Sequence, residues 1–236
     1  MTTVTVDGSM AGLVIDTNTQ TLTDSGDALT VAGTETGIVV IVGIYDSGTT
    51  PEAITVKWNT TESLTLIASH DIDPSDAAWQ YMFFLAGAST GTLGITVDAQ
   101  EEVVEITFGA TSFNGVNSST PISTVLKAIA LSGNVTFDES PDSSVGDMSV
   151  ASHYAYDTTS SSPGSGQTIG FETTGNSTTG MGLSYKASGT TSTQMTWQLQ
   201  SNPSRDKGFM AFTILQAVAG GPAIPLGSHA LLGTGL

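Results

Sequence analysis

The strongest constraint on this chain is a run of branched apolar residues at positions 38–45, which reads Ile-Val-Val-Ile-Val-Gly-Ile-Tyr. Turn-forming residues bound the run, with Gly37 before it and Asp46-Ser47-Gly48 after it. Side chains branched at Cβ fit a pleated surface better than a helix, and the run is short for a buried helix. Because both of its faces are apolar, we expect a strand that other layers of the protein cover on both sides.

Segments that alternate apolar and polar residues recur along the rest of the chain, with turn residues between them. Clear examples are Ile54–Trp58, Val103–Phe113, Met148–Tyr156, Met181–Tyr185 and Met195–Leu199. Val125–Leu131 is also compatible with a helix, whereas Lys207–Val218 is apolar on both faces, which favours a central place beside residues 38–45. Many short alternating strands predict an all-β fold, built as a two-sheet antiparallel β-sandwich.

Composition divides the chain into three parts. Residues 1–36 contain short strand patterns broken by turn signals, which predict an N-terminal strand segment or arm. Residues 37–218 carry the sandwich pattern, and residues 219–236 are expected to form an extended C-terminal arm. Within the sandwich, two polar stretches at 70–76 and 157–167 are predicted to be loops.

The chain is strongly acidic, with 22 Asp and Glu residues against five Lys and Arg and a net charge of −17. Such a surface repels nucleic acid and anionic membranes, so neither is an expected partner. Two origins fit this charge. One is a halophilic source, because in concentrated salt the Debye length falls to about 3 Å and self-repulsion is screened; the other is an ordinary acidic extracellular protein.

The chain contains no cysteine, so neither a disulfide nor a thiolate site holds it together. Its first residues, Met-Thr-Thr-Val-Thr-Val-Asp, lack the basic and apolar regions of a signal peptide, and no later stretch is long enough to span a membrane. The composition is typical of exposed β proteins, yet the sequence lacks an export signal. A virion component fits both observations, because it is made in the host cytoplasm and is later exposed on the particle.

The C-terminal arm is apolar but cannot form a compact element of its own. Pro and Gly residues interrupt it and forbid a stable helix. Its large apolar side chains are therefore expected to bind in a groove or along a sheet edge, preferably on another copy or another virion protein. The alternative is an arm that packs on its own domain and protects a sheet edge. The assembly residues predicted on this basis are Ile224, Leu226, Leu231, Leu232 and Leu236.

Carboxylates cluster in two places. Asp71, Asp73 and Asp76 form one loop with the oxygen ligands that Ca²⁺ prefers, although the spacing of an EF-hand is missing. The second cluster lies within residues 138–147. Solvated acidic turns explain both clusters as well as calcium does. Calcium at Asp71, Asp73 and Asp76 is thus the single cofactor hypothesis, against an expectation of no cofactor.

Other candidate chemistry has a structural explanation. Gly87-Ala-Ser-Thr-Gly91 matches the Gly-x-Ser-x-Gly motif, but the next residues predict a strand where a nucleophile elbow requires a helix. The histidines at 70, 153 and 229 lack metal-binding spacing. Trp79, Tyr154 and Tyr156 could stack on sugars if they were exposed, but we expect them to pack in the core. No catalytic residue is predicted.

Two segments resemble a known family. Residues 56–64, Val-Lys-Trp-Asn-Thr-Thr-Glu-Ser-Leu, resemble a strand–turn–strand element of that family. Residues 109–122, Gly-Ala-Thr-Ser-Phe-Asn-Gly-Val-Asn-Ser-Ser-Thr-Pro-Ile, resemble a second segment of it. Met195–Leu199 and the closing apolar strand fit the same pattern. These elements resemble lectin-like jelly-roll modules of environmental bacterial surface proteins and of tailed-virus tail-fibre and particle proteins. The resemblance implies a jelly-roll topology and implies no catalytic residues.

The sequence thus favours a non-enzymatic structural protein of a virus particle, decorating the head or forming part of a fibre of a tailed virus. Its expected partners are copies of itself and other virion proteins. One alternative is a carbohydrate-binding adhesin module that attaches to host glycans. A glycoside hydrolase is a third hypothesis, which requires two carboxylates facing each other across a cleft.

Overall fold

A computed structural model of the chain describes residues 3–23, 28–46, 54–73, 78–130, 133–156, 158–174, 179–189, 191–201 and 206–217. The regular elements in these residues are all strands. The first nine are β1 (Thr5–Thr23), β2 (Leu29–Val31), β3 (Gly37–Tyr45), β4 (Thr55–Trp58), β5 (Glu62–Ser63), β6 (Thr65–Asp73), β7 (Ala78–Ala86), β8 (Gly91–Leu93) and β9 (Ile95–Asn114). The others are β10 (Leu126–Ala130), β11 (Val135–Glu139), β12 (Met148–Tyr156), β13 (Thr158–Pro163), β14 (Thr168–Thr174), β15 (Thr179–Ala187), β16 (Met195–Ser201) and β17 (Lys207–Ile214).

These strands form four antiparallel sheets within the described residues. The first sheet has seven strands in the order β5-β4-β9-β3-β7-β6, with β1 paired to β9. The second runs β10-β17-β12-β15-β14, the third runs β11-β16-β13, and β2 pairs with β8 in the fourth. The predicted all-β antiparallel sandwich is confirmed, although it contains more sheets than the two expected. The jelly-roll topology stays a prediction. Over the same residues, no helix is long and apolar enough to cross a membrane.

The strand β3 is buried on both faces, as its sequence predicts. Val39 and Ile41 belong to an apolar cluster between the first and second sheets. Val40 and Val42 point the other way, into a cluster that the first sheet shares with β2 of the fourth sheet. Burying each such side chain stabilises the fold by roughly 1.5–3 kcal/mol as an upper estimate. Strand β3 therefore lies in an internal layer.

Strand β12 of the second sheet is likewise buried on both faces. Val150 and Tyr154 contribute to the cluster shared with the first sheet, while Ala151 and Ala155 contribute to a third cluster. That third cluster also contains Trp197 of β16, so it separates the second sheet from the third. The first three sheets are thus stacked with the second in the middle, and β3 and β12 are each covered on both faces.

The expectation that Lys207–Val218 pairs beside residues 38–45 is wrong. Strand β17 lies in the second sheet between β10 and β12, while β3 lies in the first between β9 and β7. The two strands face each other instead, since Val39 of β3 and Phe212 of β17 belong to the same cluster. Burial on both faces shows that a strand lies between layers, but it does not identify the sheet in which the strand pairs.

Two glycines allow the first and second sheets to approach closely. A Cβ atom placed on Gly43 of β3 would overlap the ring of Tyr154 on β12. A Cβ atom on Gly109 of β9 would overlap the ring of Phe171 on β14. Any larger residue at these two positions must displace an aromatic ring or push the sheets apart.

Several predicted loops are strands. Residues 70–73 belong to β6, which pairs with β7 as far as Asp73, and the Ser-rich residues 158–163 form β13 beside β16. The segment that was compatible with a helix forms β10. These strands lie at sheet edges, where polar residues are tolerated because one side of the strand faces solvent.

Strand β1 pairs with β9 from Thr5 opposite Asn114 to Thr23 opposite Thr96. The N-terminal residues therefore contribute to the first sheet. The division at residues 36 and 218 stays a prediction, and residues 218–236 lie outside the described part of the chain.

Candidate functional site

The proposed calcium ligands lie only partly within the described residues. Asp71 is exposed on β6 opposite Trp79, and Asp73 ends the same strand. Asp76 lies outside the described residues. Burial, and after it the nearby Asp71 carboxylate, raises the pKa of the Tyr81 phenol. The side chains described form no group of three His, Asp or Glu residues able to hold a metal ion. Calcium at this strand end stays a prediction.

In the second acidic cluster, Asp147 has a structural role. Its carboxylate accepts hydrogen bonds from the backbone N–H of Ser144 at 2.7 Å and of Gln216 at 2.9 Å. The side chain is buried, and these two bonds tie the turn before β12 to the segment after β17. By contrast, Asp142 is exposed at the rim of an open depression of about 380 Å³.

The Gly-x-Ser-x-Gly segment is followed by a strand, as predicted, but it is not the expected hairpin turn, because β7 and β8 pair in different sheets. It begins after β7 and ends at Gly91, the first residue of β8. The backbone of Ser89 is held in place, because its carbonyl accepts from Trp58 Nε1 at 3.1 Å and its N–H donates to Glu62 at 3.0 Å. Among the described residues the buried Ser89 hydroxyl has no hydrogen-bond partner.

The aromatic residues considered for sugar stacking are core residues where their side chains are described. Trp79 is 6% exposed and Tyr154 is fully buried. The side chain of Tyr156 lies outside the described part. The prediction of core packing is confirmed for Trp79 and Tyr154, which removes them from any glycan-stacking surface.

Of the three histidines, His153 lies deepest. It is buried on the side of β12 that faces the third sheet, with its ring 4.2 Å from the Trp197 ring between centroids. Within the described part of the chain neither imidazole nitrogen has a hydrogen-bond partner, and burial lowers the pKa of His153 to about 3. The pKa of His70 is also lowered, mainly by burial and to a lesser extent by the positive charge of Lys127. His229 lies outside the described residues.

A surface that the sequence patterns did not reveal lies where two sheet edges meet. Strand β6 is the edge of the first sheet and β10 is an edge of the second. Lys127 of β10 joins them, because its Nζ donates to the Ser69 carbonyl at 3.1 Å. Leu66 of β6 is 48% exposed and Ile129 of β10 is 42% exposed. We call this surface the seam.

At one end of the seam is an open apolar groove of about 320 Å³. We call it the seam groove. Thr65 lies at its rim, and its apolar walls are Ile67, Phe84, Leu85, Ala86, Pro121 and Ile122. Two separate parts of the chain, β6–β7 and residues 121–122, build these walls. No local pattern in the sequence brings them together.

The described chain ends beside this groove. The Leu215 N–H donates to the Pro121 carbonyl at 2.9 Å, and Ile214 pairs with Ile122. Two residues after Leu215, the Ala217 N–H donates to the Gly115 carbonyl at 2.8 Å, and Ala217 is buried. The assembly residues predicted from the sequence, which follow this point, lie outside the described residues: Ile224, Leu226, Leu231, Leu232 and Leu236.

Comparisons with known proteins identify no family. No family model matches the chain, and no curated protein matches it. Among solved structures, the major capsid protein P2 from Bacteriophage PM2 is 11% identical, with a TM-score of 0.27, over 89% of this chain and 99% of that one. A structure of infectious bursal disease virus, Gt strain, is 8% identical, with a TM-score of 0.13, over 91% of this chain and 78% of that one. At such TM-scores neither likeness carries an argument.

Proposed function

We propose that this chain is a non-enzymatic structural protein of a virus particle, which assembles with copies of itself and with other virion proteins. The observation that supports the proposal is the seam, where Lys127 joins the edges of two sheets, Leu66 and Ile129 are exposed on the edge strands, and an apolar groove lies at one end. Exposed strand edges and contiguous apolar surface are features that proteins ordinarily cover, and they are the usual sites of association.

The charge of the chain supports the same role. A net charge of −17 keeps separate copies apart in dilute salt and disfavours contact with nucleic acid. The seam carries Lys127, one of only five Lys and Arg residues, which offsets part of the negative charge there. Copies are expected to meet where repulsion is weakest. On this proposal the protein is exposed on the virion, at the head or in a fibre of a tailed virus.

Sedimentation velocity of the full chain tests the proposal. We expect the sedimentation coefficient to rise with protein concentration in 1 M KCl, and we expect the Leu66→Asp, Ile129→Asp double variant to remain monomeric. Both residues are about half exposed, so the double variant is expected to fold. Thr92→Asp, at an exposed position on β8, is the matched control and should assemble normally. A wild-type chain that stays monomeric at every concentration and salt would refute the proposal.

A further inference from the structure

We propose that the seam groove of each copy holds the C-terminal segment, residues 218–236, of a neighbouring copy. This inference rests on the proposed function and specifies the contact through which copies join. The groove supplies an apolar site at an exposed sheet edge, and the segment supplies apolar side chains on a chain that Pro and Gly prevent from folding alone.

The chemistry of the two surfaces matches. The groove walls are aliphatic and aromatic, with Thr65 as a polar group at the rim. Residues 218–236 contain no Asp, Glu, Lys or Arg, in a chain that otherwise carries 22 acidic residues. A segment without charged side chains approaches an acidic neighbour without the repulsion that opposes the acidic parts of the surface.

The place where the described chain ends brings the segment to the seam. Leu215 is hydrogen-bonded to Pro121 in the groove wall, and Ala217 is buried two residues later. The segment therefore starts at the edge of the patch that contains the groove. When two copies pair through the same patch on each, as in a two-fold contact, each segment starts beside the groove of the other copy.

The spacing along the chain favours a neighbour over the same copy. The first large apolar residue after Val218 is Ile224, seven residues beyond Ala217. Seven extended residues span up to about 25 Å. The groove wall of the same copy lies within one hydrogen bond of Leu215, so a spacer of this length exceeds what that site requires. It is long enough to reach across an interface, where a linker matched to the gap is most effective.

Disulfide trapping in the full chain tests the proposal, because the protein contains no cysteine of its own. One preparation carries Thr65→Cys at the groove rim and an affinity tag that changes its size. The other carries, in separate variants, Leu226→Cys, Leu231→Cys or Leu236→Cys. The two preparations are mixed, oxidised and separated on a non-reducing gel. Thr92→Cys, an exposed threonine on β8 outside the groove, replaces Thr65→Cys in the matched control.

We expect at least one of the three segment variants to form the mixed-size dimer with Thr65→Cys at a yield at least tenfold above the Thr92→Cys control. Thr65→Cys and Leu226→Cys are also combined in one chain; a cross-linked monomer, without mixed dimers in the first experiment, would show that the segment binds its own groove and overturn the proposal. If the wild-type chain assembles but no cross-link exceeds the control, the groove is not the docking site, while the proposed function stands. If the wild-type chain never assembles, both are wrong.

Discussion

Replacing His153 with leucine should remove a large part of the stability that the protein loses on acidification. His153 is buried between the second and third sheets, and neither of its nitrogens has a hydrogen-bond partner among the residues that the structure describes. Burial lowers its pKa from 6.5 in the unfolded chain to about 3 in the fold. Between these pH values the imidazole is therefore protonated in the unfolded state and neutral in the folded state. The free energy of unfolding decreases as the pH falls through this range.

The size of the effect follows from the two pKa values. Each pH unit between them costs the fold about 1.4 kcal/mol, so the loss is about 2 kcal/mol at pH 5 and about 5 kcal/mol near pH 3. Above pH 6.5 the group contributes no pH dependence. Leucine has no proton to bind and fills a similar volume beside Trp197, so it should leave the stability at pH 7 unchanged or higher.

Urea unfolding at half-unit steps from pH 7 to pH 4 measures this difference. We expect the free energy of unfolding of His153→Leu to fall less steeply than that of the wild type, by about 1.4 kcal/mol per pH unit below pH 6. Ser149→Ala is the matched control, since Ser149 is a buried residue of β12 that does not titrate, and its loss should be the same at every pH. Parallel curves for His153→Leu and the wild type would refute the reasoning.

Three further predictions follow from the packing and the charge. Gly43→Ala should cost about 1–3 kcal/mol in urea unfolding, because its Cβ would overlap Tyr154; Gly189→Ala, where a Cβ meets nothing within 4 Å, should cost little. Asp147→Asn should cost about 1–3 kcal/mol because it weakens two hydrogen bonds to backbone N–H groups, whereas Asp142→Asn at an exposed position should be neutral; equal losses would contradict this role. The thermal midpoint should rise between dilute buffer and 1 M KCl as 17 excess negative charges are screened, and an unchanged midpoint would exclude that account.

The parts of the fold that could be predicted are those that local pattern decides. Residues 38–45 are apolar at successive positions, which predicts a strand buried on both faces, and the structure buries them on both faces. The alternation through residues 148–154 likewise predicts a strand, but it suggests a polar face where the structure buries Ser149 and His153. A sequence of small polar residues does not show that another sheet covers them, since serine is common on both buried and exposed strand faces.

Pairing between distant strands could not be predicted, for a physical reason. Strand β13 has a Ser-rich sequence with weak strand propensity, and it forms because β16 supplies backbone hydrogen-bond partners. Likewise, residues 121–122 reach the seam because Leu215 and Ile214 pair with them, across more than 90 positions of the chain. The seam groove therefore depends on contacts that no local window contains.

The length of the spacer after Ala217 has a consequence for the order of assembly. At about 0.1 M salt the Debye length is about 10 Å, so two copies with a net charge of −17 each repel one another mainly within that separation. Seven extended residues reach up to about 25 Å, which is farther than the repulsion extends. On the docking proposed above, an uncharged segment can therefore enter a neighbour's groove before the acidic surfaces meet. Added salt then acts on the second step, because screening lets the tethered copies close at the seam, where Leu66 and Ile129 are exposed.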